Sequence, residues 1–231
     1  MKTVQDLKEI PNGKTVLFRS HGAKKEDYEK AKERNLKIVD ATCGNVKLIH
    51  KKILDKPKEY FTIIIGVKNH PESTGSASFS DNSFIVETED DILDAYMEYE
   101  KSNCTKVFVV AQTTFSSLKF EDILEEIYTN FAETEVEFEK TICSATENRQ
   151  AEMMKISKEF ETIIIIGGEN SSNTKKLAEI AKQNCKNVYF IQVPEQLNII
   201  DFSTVKKVGV MAGASTPQDI IENVKNTLLE I

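Results

Sequence analysis

Thr62-Ile-Ile-Ile-Gly66 returns about a hundred residues later as Thr162-Ile-Ile-Ile-Ile-Gly167, each run closed by glycine and followed by a polar loop. An apolar run without polar alternation has both faces covered, the habit of a central strand in a parallel sheet. Similar short runs lie at 15–18, 37–39, 84–86, 107–110, 188–191 and 208–211, beside 61–65 and 162–166 themselves. Between them run amphipathic stretches at 24–35, 46–56, 90–99, 120–131, 147–160, 173–183 and 217–229. Strands alternating with helices predict an α/β fold of repeated three-layer domains with mostly parallel sheets.

Two further echoes lie at a similar offset of about a hundred residues. Lys106-Val-Phe-Val-Val before Gln112-Thr113-Thr114 answers to Lys207-Val-Gly-Val-Met before Gly213-Ala214-Ser215, and Cys43 answers to Cys143. Three echoes in register imply duplication of a unit about a hundred residues long. On that period, residues 44–140 form one α/β domain and 141–231 another. Residues 1–43 match only the last part of such a unit, and are expected to be the remnant of a first domain whose earlier portion is absent.

Composition narrows the function classes. The 231 residues are 40% apolar, enough for a real core, and 30 Lys+Arg against 37 Asp+Glu give a net charge of −7. That balance argues against a global basic surface for nucleic acid or anionic lipid. No apolar run approaches the ~18 residues of a spanning helix, and residues 1–13 hold no apolar leader core. A cytoplasmic protein with no membrane and no nucleic-acid partner is expected, its oligomeric state left open. Cys43, Cys104, Cys143 and Cys185 are widely spaced, which suits thiols or metal ligands better than disulfides.

Open α/β sheets bind ligands beyond the carboxyl ends of their strands. Those loops hold Ser20-His21-Gly22, Asp40-Ala41-Thr42-Cys43, Asn69-His70-Pro71-Glu72, Gln112-Thr113-Thr114, Cys143-Ser144, Asn170-Ser171-Ser172-Asn173 and Ala214-Ser215-Thr216. Ser171, Ser172 and Asn173 open a helix, where free N–H groups suit a phosphate, although plain N-capping uses the same residue types. Ser215, before Thr216-Pro217, has the same two readings. His21 and His70 can be ligand contacts or hydrogen-bonded structural imidazoles. His50, among Lys47, Lys51 and Lys52, is expected in solvent. Glu72 reads either as an exposed loop carboxylate or, in a dry pocket, as a proton donor. Cys43 and Cys143 suit thiolate ligation of a soft metal or iron–sulfur cluster, or small buried packing. Cys104 and Cys185 precede strands at the opposite sheet end and read as packing.

Taken in order along the chain, these motifs, with Ile142-Cys143, Glu147-Asn148-Arg149-Gln150 and Ala212-Gly213-Ala214-Ser215, resemble the LytB family of 4-hydroxy-3-methylbut-2-enyl diphosphate reductases. The resemblance implies a pseudo-threefold trefoil of α/β domains around a [4Fe-4S] cluster, with Cys43 and Cys143 as two of three cysteine ligands. It implies that His21, His70, Ser171, Ser172, Asn173 and Ser215 hold the diphosphate. Thr113 and Glu72 would sit near the allylic hydroxyl, with Glu72 delivering the proton on which water leaves. The products would be isopentenyl and dimethylallyl diphosphate, and the electrons would come from a ferredoxin, flavodoxin or similar donor.

The chain departs from the family pattern in lacking its Gly-Phe-Cys-Ala-Gly run, hence the third cluster cysteine, so residues 1–231 alone are expected to hold little cluster and to be inactive. Gly44 and Thr74 stand where the family usually has Pro and Glu. Two other readings compete: an iron–sulfur dehydratase resembling quinolinate synthase, which acts on carboxylates, and a non-catalytic phosphate-binding module built on Ser171–Asn173.

Overall fold

The computed structural model describes residues 2–4 and 6–230. Three sheets, every strand pair parallel, alternate with helices as the repeated apolar runs predict. The chain divides into two compact units, Met1–Ile142 and Cys143–Ile231.

The first unit holds two sheets. Strand β1 (Thr15–Phe18) pairs with β2 (Lys37–Asp40) across helix α1 (Lys25–Glu33). Strands β3 (Tyr60–Ile65), β4 (Ser83–Val86), β5 (Lys106–Ala111) and β6 (Glu135–Glu139) lie in the order β4-β3-β5-β6. Their connections include α2 (Gly44–Leu54), α3 (Pro71–Ala77), α4 (Ile92–Lys101) and α5 (Ser117–Asn130). The unbroken apolar strands have the predicted cause. Ile63, Ile65, Val107 and Val109 pack with Ile92 of α4 and Phe120 and Ile123 of α5, while Ile64, Phe108 and Val110 pack with Ile49 and Ile53 of α2. Each face of the sheet is therefore under helix.

The second unit repeats the plan with β7 (Thr162–Ile166), β8 (Asn187–Ile191) and β9 (Val208–Ala212) in the order β8-β7-β9, with α6 (Ser144–Glu159), α7 (Ser172–Asn184) and α8 (Gln218–Glu230) around them. Ile163 and Ile165 pack with Met153 and Leu177, and Ile164 and Ile166 with Leu197 and Val224. Equivalent backbone bonds close the strand ends in both units. Gln112 N–H donates to the Ile65 carbonyl at 2.9 Å, and Gly213 N–H to that of Ile166 at 2.8 Å. Gly66 N–H likewise donates to Val86, and Gly167 N–H to Ile191.

Three local expectations are corrected. Pro71 and Glu72, read within the loop 69–72, instead open helix α3 (Pro71–Ala77), with His70 as its N-cap. Residues 135–139 form edge strand β6, held by ion pairs from Lys52 of α2 to Glu139 and from Lys56, just beyond α2, to Glu137. His50, expected in solvent, is buried on the inner face of α2 and stacks on Phe79, ring centroids 4.1 Å apart. Its position four residues after Val46 and three before Ile53 places it on the apolar side of that helix, whatever lysines flank it in sequence.

Candidate functional site

In the first unit, five of the expected site residues form one connected group. The Cys43 N–H donates to the carbonyl of Ser20, at 2.9 Å, which sets the start of α2 against the loop that carries His21. The His21 and His70 rings meet edge to face with centroids 5.1 Å apart. The Glu72 amide N–H then donates to His70 Nδ1 at 3.2 Å, which assigns the proton of the neutral imidazole to Nε2. Burial, and secondarily the neighbouring His21, lowers the His70 pKa to about 4. Burial and then Arg19 lower that of His21. Both rings are thus neutral donors at neutral pH, and His21 Nδ1 is buried without a hydrogen-bond partner.

Glu72 is only 1% exposed. The loop reading fails because Pro71 starts a helix that turns the carboxyl inward toward the end of β5. There Thr113 N–H donates to Oε1 at 2.6 Å and Thr113 Oγ1 bonds Oε2 at 3.0 Å. Burial raises the carboxyl pKa; the two Thr113 bonds oppose that rise and are the smaller effect. The result is an acid with increased proton affinity, held in fixed register with a threonine hydroxyl.

In the second unit the equivalent loops of β7 and β9 share one strand end. Ser171 caps α7, its hydroxyl accepting from Thr174 N–H at 3.3 Å. Thr216 Oγ1 donates to the Ile166 carbonyl at 3.0 Å, which fixes the loop bearing Ser215 beside the β7 end. Ser171 thus performs the capping that sequence allowed, yet a cap does not account for its neighbours. Asn173 is 4% exposed, and neither its amide oxygen nor its amide nitrogen has a partner; the buried Thr174 hydroxyl has none either. Buried polar atoms are ordinarily satisfied, so the first turn of α7 holds unspent hydrogen-bonding capacity. A helix start with neutral donors is suited to an anionic phosphate group.

The cysteines divide as their positions in sequence indicated. Cys43, exposed, and Cys143, half-buried, each occupy the N-cap position of a helix, α2 and α6, that follows a strand. Cys104 and Cys185 are buried, and their thiols point at the carbonyls of Lys58 and Asn187. The donor type of Cys43 and Cys143 suits an iron–sulfur cluster, but the number falls short: among the described residues no group of three or more His, Cys, Asp or Glu could hold a metal.

Two residues with no role assigned from sequence belong to this arrangement. Thr174 supplies an unpartnered hydroxyl beside Asn173, and Gln112 is buried beside Thr113. The available signal was the spacing, since Gly66 and Gly167 each precede by seven residues a small hydroxyl residue, Ser73 and Thr174.

The LytB protein family model matches residues 1–229. The chain belongs to the LytB family. Among curated LytB relatives, the 4-hydroxy-3-methylbut-2-enyl diphosphate reductase of Aquifex aeolicus (strain VF5) is 40% identical over 228 residues, covering 96% of this chain and 76% of its own. The enzyme of the same name from Helicobacter pylori (strain P12) is 38% identical over 232 residues, covering 100% and 82%. Two solved reductases share the LytB architecture. A structure of (E)-4-hydroxy-3-methyl-but-2-enyl diphosphate reductase aligns with a TM-score of 0.64 at 39% identity, over 98% of this chain and 80% of the other. The E-1-hydroxy-2-methyl-but-2-enyl-4-diphosphate reductase from Plasmodium falciparum aligns with a TM-score of 0.84 at 30% identity, over 97% and 70%.

Proposed function

We propose that the chain carries the substrate-binding and proton-donating machinery of a 4-hydroxy-3-methylbut-2-enyl diphosphate reductase, a cytoplasmic oxidoreductase of isoprenoid biosynthesis. The observation that carries this reading is the buried Glu72 carboxyl, bonded through both oxygens to Thr113, two residues from a neutral His70. In this role Ser171, Ser172, Asn173 and Ser215, with His21 and His70, donate to the diphosphate. Neutral donors at a helix start match an anion without a buried cationic partner. Glu72 protonates the allylic oxygen as it leaves as water, and Thr113 orients that oxygen and the carboxyl together. A [4Fe-4S] cluster, when bound, supplies the two electrons and a Lewis-acidic iron. Cys43 and Cys143 are the thiols that would hold it. A ferredoxin, flavodoxin or similar electron donor would feed it.

Calorimetric titration tests the reading. The expected result is saturable binding of 4-hydroxy-3-methylbut-2-enyl diphosphate and no binding of an isosteric dicarboxylate. Preference for the dicarboxylate would favour the quinolinate-synthase-like alternative and overturn the assignment.

A further inference from the structure

Beside the Glu72–Thr113 pair stands a second link between the same two segments, one residue along on each. Ser73 and Gln112 are both buried, at 1% and 2% exposure. Gln112 Oε1 accepts from the Val67 N–H at 3.0 Å and from the Ser73 hydroxyl at 3.3 Å, and Gln112 Nε2 donates to Thr114 Oγ1 at 3.0 Å. One side-chain amide therefore ties together the loop after β3, the first turn of α3 and the loop after β5. The packing beneath it is close: a methyl group on Gly66 would come within 2.6 Å of Ser73 Oγ and 2.9 Å of the Gln112 Cβ.

The duplicated unit supplies a comparison within the same molecule. Gly213 occupies the position of Gln112, its N–H making the equivalent bond to the end of β7, and Thr174 occupies that of Ser73 with its hydroxyl unpartnered. A glycine has no side chain to build such a bridge, and the second unit folds without one at this position. The bridge stands where a buried carboxyl must be held against a threonine.

We propose that Gln112 is a positioning residue for Glu72: its amide, bonded to Val67, Ser73 and Thr114, fixes the separation of α3 from the β5 loop and so keeps the Glu72 carboxyl dry and on Thr113. This rests on the proton-donor role assigned to Glu72, but its geometric content does not depend on the identity of the substrate. Without the bridge the two segments separate and water reaches the carboxyl. Because burial is the larger influence on that group, exposure outweighs the loss of the Thr113 bonds and the carboxyl titrates closer to an ordinary glutamate.

The test is a carbon-13 NMR titration of the Glu72 carboxyl in the full chain. Gln112→Met keeps the volume and removes the amide. The Glu72 midpoint moves down toward the ordinary glutamate value. Ser73→Ala, a milder change that removes one hydrogen bond of the bridge, moves it in the same direction by less. An unchanged Glu72 midpoint in folded Gln112→Met, or in Ser73→Ala should the former not fold, overturns the proposal even if the melting temperature drops. Failure of the protein to bind the allylic diphosphate, with the midpoint moving as stated, would count against the reductase reading and leave the positioning role in place.

Discussion

Thr113 grips both carboxyl oxygens of Glu72, its N–H on Oε1 at 2.6 Å and its hydroxyl on Oε2 at 3.0 Å, across a separation of 41 residues. The contact joins the start of α3 to the end of β5 and places an acid of raised proton affinity at a sheet end where ligands of α/β folds bind.

Glu72 and His50 give the stability of the fold two opposite slopes with pH. A carboxyl whose folded pKa lies above its unfolded value stabilises below the unfolded pKa and loses that contribution as pH rises through the folded one. Denaturant melts should therefore show stability falling on that limb, and Glu72→Gln should flatten it. His50 behaves in reverse: burial lowers its pKa from 6.5 to about 4. Its contribution is complete above 6.5 and is lost as pH falls toward 4, on the order of 3 kcal/mol at ~1.36 kcal/mol per unit. His50→Leu should remove that acid-side loss. A parent slope identical to that of either variant would contradict the corresponding assignment.

Asn173 presents a buried amide with no partner. Asn173→Leu should leave the unliganded protein as stable or raise its stability by about 1 kcal/mol, since it removes an unsatisfied polar group at similar volume. The same change should weaken diphosphate binding at least tenfold, through loss of a hydrogen bond to a charged group worth about 1.5 kcal/mol or more. Thermal melts and calorimetry read the two effects separately. Equal affinity in parent and variant would remove Asn173 from the site.

The glycines separate tight places from open ones. Gly66→Ala should destabilise by about 1–3 kcal/mol, because the added methyl meets Ser73 and Gln112. Gly44 is the first residue of α2, and a methyl added there would meet nothing within 4 Å. Cys43 before it, at φ −55° and ψ 140°, already has the backbone that a following proline demands. Gly44→Pro should stabilise by about 0.4–1 kcal/mol. Melting temperatures moving in the opposite senses would refute the packing at either site.

Cluster chemistry follows the thiol count. Anaerobic reconstitution of residues 1–231 with iron and sulfide should give little cluster absorbance and no turnover of the allylic diphosphate, with the residual iron lowered by Cys43→Ser and Cys143→Ser and unaffected by Cys104→Ser or Cys185→Ser. Full absorbance with turnover would show that two thiolates suffice.

What sequence reveals and what it hides have physical causes. The runs at 61–65 and 162–166 announce central strands because burial on both faces leaves no polar position to confuse the pattern. Strand β6, Glu-Val-Glu-Phe-Glu at 135–139, lies at a sheet edge and alternates charge with bulk, so it lacks that signature. Helix α3 is seven residues of Pro, Glu, Ser, Thr, Gly, Ser and Ala with no apolar stripe, and tertiary burial rather than propensity holds it. Without α3, Glu72 looks like a loop carboxylate. His50 misleads because flanking lysines are a weaker guide than helical phase. The polar residues at strand ends are legible through the duplication, while the bonds of Gln112, which depend on packing between segments far apart in sequence, are not.

The account turns on a protonated Glu72 facing the substrate. Infrared difference spectra of the parent and Glu72→Gln, each with the allylic diphosphate bound at neutral pH, test this directly. The predicted result is a carbonyl band of a protonated carboxylic acid in the parent that disappears in Glu72→Gln. Loss of carboxylate bands alone, with no acid band in the parent, would mean that Glu72 is ionised beside the substrate and cannot be its proton donor.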